Sequence, residues 1–113
     1  MSKAKPNHRQ QLVSVEIERR AILELYGALS NFLVLAKGNG WTCGDLSYMC
    51  DATIDECSVR LKKLRKIVRM NYKSVAAKGL DFEIACDEKK VADLSKAFKR
   101  ARQREIDEGL SEK

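Results

Sequence analysis

Four cysteines and a single histidine are the side chains of this sequence best equipped for metal or redox chemistry. Cys43, Cys50 and Cys57 recur at seven-residue intervals, Cys86 follows much later, and His8 stands near the start. Zinc sites usually pair their ligands closely, as CxxC or His-x3–5-His, because a tight turn brings two donors to one ion. The spacing here is too long for such a turn, so it predicts no metal. A disulfide framework needs an oxidising compartment. The opening "MSKAKPNHRQQ" has no apolar segment of a secretory signal, and no uninterrupted apolar run reaches the ~20 residues of a membrane span. The expectation is a cytoplasmic chain without membrane contact and with reduced thiols. By pattern Cys43 is the least buried of the four and the one redox candidate, but nothing near it lowers a thiol pKa.

Catalytic constellations are missing as well. The sequence contains no P-loop, GxGxxG, HExxH or cysteine–histidine pairing. Asp55 and Glu56 are adjacent, and neighbours on a helix diverge by about 100°, so they cannot flank a substrate. The reading is of a protein that is not an enzyme and needs no cofactor. With so few aromatics, Trp41 is expected to pack at the domain edge and not to stack on a base.

Charge is the remaining source of chemistry. Lysine and arginine number 22 against 16 acids, a net charge of +6, which favours an acidic partner. Between Cys57 and Leu80 lie Arg60, Lys62, Lys63, Arg65, Lys66, Arg69, Lys73 and Lys78, with no acid among them. On a helix that turns Cys57, Leu61 and Leu64 inward, Asp55, Val59, Lys62, Lys63 and Lys66 point outward. Ser58 and Arg65 then fall on one flank and Arg60 on the other.

The elements that must position these groups follow from caps and apolar spacing. A chain of 113 residues suits one domain, and 6% aromatics leave the core to Leu, Ile, Val, Ala and Cys. Residues 1–11 read as a flexible basic arm and 12–110 as the domain. A first helix starts at Ser14 and ends at "KGNG", carrying Val15, Ile22, Leu25, Leu29, Phe32 and Ala36. Leu23, Tyr26, Leu33 and Leu35 widen its apolar surface, which suggests a second chain against it. Thr42 with Asp45 resembles a capping box for a short second helix, Asp51 suits a turn, and Thr53 with Glu56 forms another capping box. Ile54, Cys57, Leu61 and Leu64 make the inward stripe of the helix that follows. A last helix, 87–108, is capped by Asp87 and buries Val91, Leu94, Phe98 and Ala101. Its "KAFKRARQRE" segment is basic on the outer face, read as a solvated surface.

Two capped helices joined by a short turn are a helix-turn-helix, and "LSYMCDATIDECSVRLKKL" resembles that family. Leu46 and Ser47 match the packing positions of its first helix, Ala52 and Thr53 the turn and cap, and Cys57, Leu61 and Leu64 the buried face of its recognition helix. Asp51 replaces the usual glycine. After it, Val68, Met70 and Tyr72 can pair with Leu80, Phe82, Ile84 and Cys86 as a hairpin across "SVAAKG", the wing of a winged helix-turn-helix. The expected fold is therefore mainly α with a small β-hairpin (α+β): helix-turn-helix 42–66, wing 67–86, C-terminal helix 87–108. The alternative is an all-α helix-turn-helix whose recognition helix runs on to Gly79.

The resemblance implies a sequence-specific protein for double-stranded DNA, a small dimeric transcriptional regulator with helix 54–66 in the major groove. Asp55, Ser58, Val59, Arg60, Lys62, Lys63 and Lys66 would face the groove, with Lys73 and Lys78 on phosphates. The acidic tip at Asp55 and Glu56 supports a second expectation: a phage- or mobile-element-like interaction module that uses the same fold to hold a host protein or nucleoprotein complex.

Overall fold

The computed structural model describes residues 7–39, 44–70 and 72–109. They form three long helices: α1 (His8–Asn39), α2 (Gly44–Arg69) and α3 (Val75–Asp107). Pairs of residues that meet fix how these lie. His8 reaches Ser74, Arg19 reaches Asp87 and Phe32 stacks on Phe98, so α1 and α3 run parallel. Arg69 meets Asp81 while Asp51 meets Arg102, so α2 runs antiparallel to α3. The result is an up-down-up bundle of 58 × 32 × 21 Å.

Steps of three and four residues explain why these sequences form one bundle. On α2, Cys50, Ile54, Cys57, Leu61, Leu64 and Val68 are buried; on α3, Ala77, Leu80, Ile84, Asp87, Val91, Leu94, Phe98, Ala101 and Glu105 are buried. This is a heptad seam, which keeps one face of each helix against its neighbours along the whole length. The α1 seam is Leu12, Val15, Arg19, Ile22, Tyr26, Leu29, Leu33 and Ala36, of which Val15, Ile22 and Ala36 are fully buried. Phe32 lies parallel to Phe98 with ring centroids 6.4 Å apart, near the end of the bundle away from His8.

Caps set the helix ends. Asn7 Oδ1 accepts from Gln10 N at 2.8 Å while Asn7 N donates to Gln10 Oε1 at 3.0 Å, a reciprocal capping box that starts α1 well before Ser14. Ser74 Oγ accepts from Ala77 N at 3.1 Å and opens α3. Gly109, at φ +74°, takes the left-handed conformation that closes α3.

Two expectations are overturned. There is no helix-turn-helix turn: α2 passes unbroken through Asp51, Ala52 and Thr53. An unbroken helix keeps Cys50, Ile54 and Cys57 on one seam, and Asp51 Oδ2 finds Arg102 at 2.7 Å, so neither the apolar spacing nor the acid calls for a bend. Nor is there a winged helix, because no strand occurs among the described residues. The segment 67–86 is instead the end of α2, a short connection and the start of α3. Leu80 and Ile84 are buried with Ala77 at helical spacing, whereas Phe82 is 69% exposed and Cys86 is also outside. The all-α alternative has the right class but the wrong boundaries, since α2 stops at Arg69 and Gly79 lies inside α3. His8–Gln11 belong to α1 and not to an arm; Trp41, Thr42 and Cys43 fall outside the described residues. By length and composition alone α1 is also apolar enough to cross a membrane, a property that counting uninterrupted apolar residues passes over.

Candidate functional site

Arginine and lysine occupy different parts of this bundle. The ion pairs that join described residues are all made by arginine. Arg19 meets Glu16, Glu83 and Asp87; Arg60 bridges Glu18 at 2.9 Å and Glu56 at 3.1 Å; Arg65 and Arg69 share Asp81 at 2.9 and 3.0 Å. A planar guanidinium holds a carboxylate through a fork and is more weakly hydrated than an ammonium, which suits it to the seams between helices. Burial alone would push the Asp81 carboxyl up, but hydrogen bonds from Arg69 and Arg65 outweigh it and hold this group below the usual carboxylate range. The Arg19 guanidinium is raised, first by its hydrogen bond to Asp87.

Every described lysine, by contrast, is exposed, and none is in an ion pair with a described residue. Their placement follows from the seam. Arg65, Asp81 and Arg102 mark the line where α2 meets α3. Lys62, Lys78 and Lys99 each stand three residues, about one turn, before one of these and so flank that line. Lys66, Lys89 and Lys96 stand further out on the same two helices. The side of the bundle facing away from α1 thus carries six lysines, with exposed Asp55, Asp93 and Asp107 among the acids on the outward faces of α2 and α3. Because Asp51, Glu56, Asp81, Glu83, Asp87 and Glu88 each meet an arginine, the outward field there comes chiefly from ammonium groups.

The residues singled out from the sequence are distributed as follows. Lys62, Lys63 and Lys66 do point outward from α2, and Val59 is 46% exposed beside them. Asp55 is exposed one turn before Val59. Ser58 is half-buried in the row that faces α3, and Arg60 is engaged with α1 through Glu18. Lys73 lies in the connection after α2; Lys78 lies in the first turns of α3, with its ammonium 6.0 Å from the Tyr72 ring. These groups share an exposed helix and its continuation, not the tip of a short recognition helix. Lys89, Lys96 and Lys99 complete the face and were missed, because a strand reading of 80–86 separated them from α2. The heptad spacing of α3 is the signal that would have joined them.

A shallow groove of about 550 Å³ between the first turns of α1 and α3 is lined by His8, Arg9, Glu16, Ser74 and Glu83 with Leu12, Val13 and Leu80 around them, and His8 Nε2 meets Ser74 Oγ there at 2.8 Å. Burial raises the Cys57 and Cys50 thiols, and the nearby Glu56 and Asp51 carboxylates add to this, so both sulfurs act as core packing. Among the described residues no three His, Cys, Asp or Glu side chains converge as a metal set. No protein family, characterised protein or solved structure matches this chain, so a functional reading has to stand on its own residues.

Proposed function

We propose that this is a non-enzymatic helical bundle that holds double-stranded DNA through its phosphates, using the lysine face of α2 and α3. The observation that carries the reading is the separation of the two cation types. Arginines satisfy the internal acids, while Lys62, Lys66, Lys78, Lys89, Lys96 and Lys99 remain exposed on one side. A duplex carries a dense line of phosphates, and neutralising them releases counterions, which supplies most of the affinity of any cationic surface for DNA. Flexible lysines suit such contacts because they meet phosphates as point charges without demanding one geometry. Sequence reading by a recognition helix is no part of this proposal, since α2 has no turn to lift its second half off the bundle. Phosphate contacts position a protein on a duplex without reporting base identity.

A second reading, an acidic protein partner on the same face, draws support from Phe82 and Val59, which are exposed among the lysines and which phosphate does not require. Fluorescence anisotropy with a labelled duplex of random sequence separates the two. If DNA is the partner, log K falls linearly with log salt, with a slope of about −0.9 per phosphate contact. The double substitution Lys62→Ala, Lys66→Ala then flattens that slope by nearly two contacts. An absence of duplex binding at low salt removes the DNA reading and leaves the protein partner.

A further inference from the structure

The outward face of α1 has a different character from the lysine face. Continuing outward from the buried seam, Val13, Ile17, Arg20, Glu24, Gly27, Asn31 and Val34 recur at steps of four and three residues. They form a second heptad seam on the outer side of α1, with Val13 at its edge on the groove against α3. Val13 is 53% exposed, Ile17 65% and Val34 67%, and Leu35 beside them is also exposed. From Val13 to Leu35 the only charges at these outward positions are Arg20 and Glu24. A seam of this kind requires an opposing helix, and its own residues indicate which one fits.

We infer that this face binds a second copy of the chain, α1 against α1 in antiparallel orientation, about a two-fold axis passing between Arg20 and Glu24. Three observations select that arrangement. With the axis there, Arg20, which within the chain meets Glu16 at 3.3 Å and is otherwise exposed, stands opposite the second copy's Glu24, and the symmetry makes the pair twice; a parallel pairing would instead set like charges against each other. In the same register Ile17 stands opposite the second copy's Gly27, and an added Cβ at Gly27 would meet nothing within 4 Å, so there is room for the larger side chain. Along this seam Arg20 and Glu24 balance, so two copies of a +6 protein can approach there. A hydrocarbon surface is a poorer occupant, because Arg20 with its Glu16 partner, and Glu24 in mid-face, would have to be desolvated there. In this register Val13 stands opposite the second copy's Asn31 and Val34 opposite its Gln10, so the contact runs over residues 10–34, about 36 Å at 1.5 Å per residue. The inference does not depend on the phosphate reading, since the lysine face lies on the other side of the bundle.

Charge reversal tests it by sedimentation equilibrium on the full chain. The wild type sediments as a dimer in the micromolar range. Arg20→Glu alone and Glu24→Arg alone each weaken association by roughly tenfold or more, because each sets like charges opposite one another twice. An equimolar mixture of the two single variants associates again, as does the double variant Arg20→Glu, Glu24→Arg. Arg20 and Glu24 are both exposed, so helicity by circular dichroism stays at the wild-type level. Ile17→Lys, equally exposed, gives an independent monomer. A wild type that stays monomeric to hundreds of micromolar overturns the inference. So does a dimer indifferent to both single reversals, or a mixture that fails to reassociate.

Discussion

Arg19 occupies a seam position of α1 where an apolar side chain would ordinarily sit, and Asp87 of α3 accepts its Nε hydrogen bond. The Asp87 side chain is 1% exposed and that of Arg19 15%. Two charges out of water gain little net stability, but removing one leaves the other buried and uncompensated, at a cost of about 3–5 kcal/mol. Arg19→Met alone is therefore expected to lower the unfolding free energy by that amount in urea titration. Arg19→Met with Asp87→Leu should return to wild-type stability or exceed it; a double variant as weak as the single one would show that the pair itself stabilises the bundle. Of the two, the sequence reading gave Asp87 the role of a helix cap and gave Arg19 none. Arg19 interrupts a seam that also contains Tyr26, so apolar spacing alone follows Val15, Ile22, Leu29 and Ala36 and passes over that row. Asp87 reads locally as a helix cap, a role that Ser74 takes thirteen residues earlier.

At the scale of the helices, the sets of residues that face inward were legible, and the breaks between helices were not. Ile54, Cys57, Leu61 and Leu64, and likewise Val91, Leu94, Phe98 and Ala101, are buried as their spacing predicts. The errors arose where local turn chemistry competed with the seam. Thr53 and Glu56 have the form of a capping box, but the Cys50–Ile54–Cys57 spacing runs through them and tertiary packing decides. Asp81 and Asp87, buried through their arginine partners, hide the helical period of 80–87 and leave an apparent alternation of Leu80, Phe82, Ile84 and Cys86. Gly79 gives this correction a measurable consequence. It lies exposed inside α3, with nothing within 4 Å of an added Cβ. Gly79→Ala is thus expected to stabilise the protein by about 0.5–1 kcal/mol, the usual gain at an exposed helix interior. A helix terminator or a wing glycine in the left-handed region would respond with a loss, and thermal unfolding distinguishes the two.

The whole molecule has two unlike sides: α1 offers apolar groups with one self-complementary pair of charges, and α2 with α3 offers lysines. Association through α1 would leave a lysine face outward on each copy, so the two proposed contacts do not compete for surface. The central claim is that duplex DNA meets the α2–α3 side, and the most direct measurement compares the loss per charge removed on the two sides. Lys62, Lys66, Lys89 and Lys96, changed together to Gln, remove four exposed cations from one side. Arg9, Arg20 and Lys37, changed to Gln, remove three from α1. Duplex affinity at low salt, read by anisotropy, should fall by orders of magnitude for the first variant and only slightly for the second, with the salt slope reduced in the first alone. Equal losses per charge on both sides would contradict the account, because affinity would then follow net charge and no particular face.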